Sequence, residues 1–106
     1  MHEVEFEKHQ REEARWRILR VLDIGRPNPV AETLIWRHLT DDLHLQITPH
    51  GLRRELDYLD ERKLIKISGK EHPIWLSELT REGIDVIEYT IPCEAGIARP
   101  QKYWAT

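Results

Sequence analysis

The chain has 106 residues, 40% hydrophobic and 33% charged, with a formal net charge of −3. That length suits one domain with a modest core, and that balance is typical of a helix-rich folded chain and not of a disordered one. No apolar run approaches the roughly 18 residues that span a bilayer, the start MHEVEFEKHQ is acidic where a secretory signal is basic, and the single Cys93 cannot close an internal disulfide, so a cytoplasmic protein with no membrane contact is expected.

Residues 1–8 show no clear period and are expected to fray or to lie loosely on a partner. From His9 to Ile24, Ala14, Ile18 and Leu22 recur at i, i+4, i+8, and Leu19 widens that stripe, which predicts a first helix. Arg11, Arg15, Arg17 and Arg20 fall off the stripe. A solvated face with ion pairs to Glu12 and Glu13 is the simpler reading of them, and contact with a DNA backbone is the alternative. Gly25 stands where a helix C-cap belongs, and Pro27 and Pro29 bar continuation. Val30 can form a minimal strand. Ala31 to Asp41 predicts a second helix with Ala31, Leu34, Ile35 and Leu39 inward. Trp36 lies to the side of that stripe, either filling the edge of the core or marking a surface for a protein partner.

The stretch from Thr48 to Leu79 carries the strongest local signals. Thr48 is a side-chain cap, Pro49 is suited to the first helical position, and Leu52, Leu56 and Leu59 repeat at helical spacing. Ile65, Lys66 and Ile67 alternate as a half-buried strand does, Ser68 to Pro73 is turn chemistry, and Ile74 to Leu79 is a return strand. Thr80 then caps a fourth helix whose buried side is Ile84, Ile87 and Ile91, ended by Pro92. The expected fold is mainly α with a small β-hairpin (α+β): a winged helix-turn-helix over residues 9–91, in the order helix, short strand, helix, helix, strand, wing, strand, helix. A tail over 92–106 carries Ile97, Tyr103 and Trp104, and that apolar area packs either on its own domain or on a second subunit.

Two short runs carry a family resemblance. Leu59-Asp60-Glu61-Arg62-Lys63-Leu64-Ile65 resembles the passage that leaves the recognition helix of winged helix-turn-helix regulators, with Lys63 where glycine is usual. Leu79-Thr80-Arg81-Glu82-Gly83 resembles the L-T-x-x-G that opens their last helix. Over nearly the whole chain, and most closely from Leu79 to the tail Gly96-Ile97-Ala98-Arg99-Pro100, the sequence is similar to small ArsR-like winged-helix proteins of Mu-like phages and prophages. That resemblance implies a phage or bacterial origin, a DNA-binding fold and a role in transcription regulation.

If the helix starting at Thr48 reads double-stranded DNA, its N-terminal exposed residues enter the major groove. His50, Arg53 and Arg54 are then candidates for base edges, arginine pairing with O6 and N7 of guanine. Asp57 accepts from a cytosine amine or orients one of those arginines. Lys66 is a further cation of the hairpin, Lys70 and His72 at the wing touch phosphate or the minor groove, and the Thr48 hydroxyl faces phosphate. A homodimer on two half-sites is expected, with the surplus apolar residues of the termini, Tyr103 and Trp104 among them, as its surface. The charge balance speaks for another class: from Thr48 to His72, six lysines and arginines face five carboxylates. A winged-helix module that docks a protein partner without touching bases is therefore the alternative.

Other chemistries find little support. His38, Asp42 and His44 have a spacing that can gather metal ligands, but an ordinary wet helix end explains them, and no metal or other cofactor is expected. There is no Gly-rich phosphate loop, nucleophile elbow or HExxH, and Cys93 lies beside Glu94 with no basic neighbour in sequence, so no enzyme activity is expected.

Overall fold

No glycine or proline precedes Gly25, and Glu, Lys, Arg, Gln and Ala, all strong helix formers, fill the positions between the apolar ones. Nothing therefore stops a helix early. The computed structural model describes the backbone of residues 2–102 and the side chains of residues 5–102. It opens on α1, His2–Gly25, so that residues 2–8 are helical and not the frayed segment expected from their lack of period. Then follow β1 (Val30–Ala31), α2 (Glu32–Arg37), a π-helical turn (His38–Asp42), α3 (Pro49–Glu61), β2 (Ile65–Ser68), β3 (Leu76–Leu79) and α4 (Arg81–Ile87). The strands pair antiparallel in the order β1-β3-β2, Val30 opposite Ser77 and Ile65 opposite Leu79. Among the described residues the chain is thus an α+β domain of four α-helices and one three-stranded sheet, compatible with a winged-helix-like fold.

One core joins these elements. Ile18, Leu19 and Leu22 of α1 meet Leu52, Leu56 and Leu59 of α3, Ile35 and Leu39 after β1, and Leu64, Ile65 and Leu79 of the hairpin. Trp16, outside the expected stripe, is also buried and meets the Tyr89 ring edge-on with centroids 6.4 Å apart. The arc from Ala14 to Trp16 is wider than one stripe because α1 is covered on two sides, by α3 and the sheet and by α4 with the tail.

Several local expectations hold. Thr48 Oγ1 accepts from Gly51 N–H at 2.9 Å and Thr80 Oγ1 from Gly83 N–H at 3.1 Å. At Gly83 an added Cβ would stand 2.1 Å from the Leu64 carbonyl oxygen, which explains a glycine there by close approach of backbone.

Others are corrected. In α2, Glu32 is buried while Leu34, expected inward, is 59% exposed; the carboxylate has partners inside and the leucine has none. The second helix widens to a π turn where Thr40 Oγ1 bonds back to the Trp36 carbonyl and Leu43 N–H reaches His38 O. Helix α4 ends at Ile87, a turn before Ile91, as Tyr89 takes φ +61°, and Val86 is its buried residue in place of Ile84 and Ile87, which are half-buried. Trp36 Nε1 donates to Ile47 O at 2.8 Å, so this half-buried indole holds the loop before α3.

Of the two places expected for the tail, the described part occupies its own domain. Ile97 is buried, Ala98 N–H donates to Glu12 O at 3.1 Å, and Arg99 Nη1 donates to the carbonyls of Val86 and Ile91. Tyr103 and Trp104 lie outside the described residues. Lys63, at the position where the sequence pattern expected glycine, has φ +63°. A side chain in that region costs roughly 1–2 kcal/mol, and glycine returns part of the gain as chain entropy. Lys63→Gly is therefore expected to stabilise the domain by about 0.5–1 kcal/mol in urea unfolding; a lower unfolding midpoint would contradict this account of the turn.

Candidate nucleic-acid interface

The face of α3 turned away from the core is set by its own periodicity: with Leu52, Leu56 and Leu59 inward, His50, Arg54, Asp57 and Glu61 point outward. Beside it lies the turn between β2 and β3. The two are tied together through Glu32. Its carboxylate accepts both Arg53 Nε and Arg53 Nη2 at 2.8 Å, and one of its oxygens also accepts Trp75 N–H at 2.6 Å. The same guanidinium donates to Pro73 O at 3.0 Å and lies 4.3 Å from the centre of the Trp75 ring. Lys70 adds a second tie, its Nζ 2.6 Å from Asp57 Oδ1 and 5.0 Å from that indole.

These contacts redistribute the residues predicted for the site. Arg53, Asp57 and Lys70 are brought together, but as partners of one another's elements: Arg53 is held by Glu32 and Asp57 by Lys70. Arg54 and His50 remain outward, exposed, and without an ion pair or hydrogen bond among the described residues. Thr48 spends its hydroxyl on the helix cap. His72 is exposed at the turn, 3.5 Å from the Glu71 carboxylate. Lys66 stands apart: its neighbours Ile65 and Ile67 face the helices, so it points from the opposite face of the sheet, across from Glu78. The arrangement is a helix whose first two turns expose one free guanidinium and one imidazole, whose last turn carries the half-buried Asp60 and the exposed Glu61, and whose neighbouring hairpin is latched in place.

Glu32 is the participant that sequence reasoning missed. Its only signal was a carboxylate among the inward-facing positions at the start of a short helix, which periodicity alone reads as an error of phase. On the other flank of α3, Arg15 and Arg62 both lie over the Tyr58 ring, 3.6 and 3.5 Å from its centre. The Tyr58 hydroxyl donates to Glu94, which also takes Arg62 Nε at 2.6 Å, while Arg15 bonds Glu55 and the Gly96 carbonyl. This cluster fixes the tail against α1 and α3. No group of three or more His, Cys, Asp or Glu side chains capable of holding a metal occurs among the described residues, and His38 and Asp42 hold each other at 2.9 Å.

Electrostatically the latch is tight. The Arg53 hydrogen bonds hold the Glu32 carboxyl below the usual glutamate value against the burial that pushes it up, with Trp75 N–H and the guanidinium charge adding to the lowering. Hydrogen bonding to Asp57 raises the Lys70 ammonium above its usual value. Burial pushes the Cys93 thiol up and away from reactivity, with the Arg99 charge opposing and the Glu94 charge adding to the rise. Compared with protein-family models, curated proteins and solved structures, the chain gives no significant match.

A carboxyl whose folded pKa is depressed contributes stability that is present above its unfolded value, about 4.3 for glutamate, and is lost as pH falls through the folded value. Glu32→Gln is expected to destabilise the domain at pH 7 by roughly 1–3 kcal/mol, since a charged hydrogen-bond acceptor is lost at a site nine-tenths buried. Urea midpoints measured from pH 7 down to about pH 3 should converge for the two proteins as Glu32 protonates. A gap that stays constant over that range would show that the carboxylate charge is not what holds the latch.

Proposed function

We propose that the chain is a winged-helix DNA-binding protein in which α3 is the recognition helix and the β2–β3 turn is the wing, acting as a transcription regulator of a phage or prophage in its bacterial host. The observation that carries this reading is the division of labour on α3. Its N-terminal turns, the part of a recognition helix that meets base edges, present Arg54 and His50 with no ion pair or hydrogen bond among the described residues, while Arg53 is used to brace the wing alongside. The likeness of the 59–65 and 79–83 runs to winged helix-turn-helix regulators supports the same assignment. In it Arg54 is the base reader, His50 its neighbour on the groove floor, and Arg53 a positioning residue.

The alternative, a winged-helix module that docks a protein without base contact, is favoured by one feature: two of the cations in the region are neutralised by Asp57 and Glu32, and Asp60 and Glu61 follow on the same helix. The two readings separate in a fluorescence-anisotropy titration against duplex DNA over a salt series. The DNA reading expects binding that weakens steeply with salt. Once a preferred site has been selected, Arg54→Ala should relax discrimination at one base pair by roughly 1–3 kcal/mol, whereas Arg53→Ala should weaken all sequences alike by releasing the wing. No binding at low salt would sink the DNA reading and leave the docking module standing.

A further inference from the structure

Helix α1 reaches back past the start of α3, and its side chains Glu7, Gln10, Arg11 and Ala14 face Gln46, Ile47, Thr48 and Arg54 across a cleft of about 320 Å³. The chain has eleven arginines. Among the described residues all but three have a hydrogen bond, an ion pair or an aromatic ring against the guanidinium; the exceptions are Arg11, Arg37 and Arg54, and two of these three line this one cleft. The deeper of the cleft's two carboxylates does not cancel them, because Glu55 is buried and taken by Arg15 Nε at 2.7 Å. The other, Glu7, is exposed. The end of α3 adds only the His50 N–H, since Pro49 has no N–H, Gly51 N–H is already bound by Thr48 Oγ1 and Leu52 N–H by Thr48 O.

Two guanidiniums with no hydrogen bond or ion pair among the described residues, flanked by the amides of Gln10 and Gln46 and with Glu7 as the one exposed carboxylate beside them, make a donor-rich cleft, the chemistry that receives a phosphodiester. Arg54 belongs to both the cleft and the outward face of α3, so a ligand in the cleft lies directly beside whatever α3 reads. We infer that the cleft holds one phosphate of the DNA backbone flanking the segment read by α3, with Arg11 as its principal ligand and Arg54 linking that phosphate to the base edge. This rests on the DNA-binding reading and extends it to a contact made by α1.

The test compares wild type, Arg11→Ala, Arg11→Lys and Arg37→Ala on duplex DNA of random sequence by anisotropy across a salt series, with circular dichroism to confirm folding. One lost phosphate contact makes the slope of log affinity against log salt shallower by about 0.9. That change is expected in Arg11→Ala alone. Arg11→Lys should keep the slope but bind more weakly, since lysine keeps the charge and loses the paired donors. Arg37→Ala, the unpartnered arginine outside the cleft, should match wild type. A wild-type slope in Arg11→Ala would overturn the inference while leaving the DNA reading intact, and so would an equal drop in Arg37→Ala, which would mean that only total charge is sensed. If the wild-type protein binds no DNA at low salt, the reading beneath the inference fails with it.

Discussion

The Glu32 carboxylate is the point on which the exposed half of the domain depends. It stands at the first turn of α2, receives the Arg53 fork from α3, and accepts Trp75 N–H from the run into β3, while its own N–H donates to Trp75 O. Three elements that share no sequence neighbourhood are thereby fixed by one side chain. A carboxylate with so little exposure is tolerable only because its charge is met by a guanidinium and its lone pairs by N–H donors. Removing either partner leaves the other stranded, so the latch acts as a unit. Its consequence is geometric: the β2–β3 turn cannot swing from α3 while Arg53 spans Glu32 and the Pro73 carbonyl and lies against the Trp75 ring.

The same latch changes what the charges of α3 mean. By composition, the region is a near-balance of acids and bases that argues against nucleic acid. In three dimensions two of those bases, Arg53 and Lys70, are consumed in bracing, by Glu32 from outside the region and by Asp57 within it, and what remains on α3 is ordered along the helix, with Arg54 and His50 at the start and Asp60 and Glu61 at the end. Arg11, on the neighbouring helix, extends the cationic end beyond α3 itself. Net charge therefore understates the local field near the N-terminal turns of α3.

What could be read from sequence follows the physics of range. Local devices were legible: the Thr48 and Thr80 caps, the Leu52-Leu56-Leu59 stripe and the turn at Gly69 all depend on residues a few positions apart. Contacts between distant segments were not. Trp16 is buried because Tyr89, more than seventy positions later, lies against it, and Glu32 turns inward because Arg53 waits there. The end of α4 was placed a turn too late because Pro92 was the visible stop, whereas the chain reverses at Tyr89 by entering the left-handed region. At the candidate site, the sequence treated the cations of α3 as equivalent. The distinction between Arg53 and Arg54 is a matter of which one meets Glu32, and no spacing rule contains it.

The central claim is that the N-terminal turns of α3, with the adjoining cleft of α1, form the surface that meets DNA. It is tested most directly by recording amide chemical shifts of the isotopically labelled wild-type protein while short duplex DNA is added at low salt. The account predicts that the shifts concentrate at residues 46–54, around Arg11 and at the wing from Gly69 to His72, with little change on the sheet face that carries Lys66 and Glu78. Shifts centred on that sheet face, or none at any DNA concentration, would contradict it.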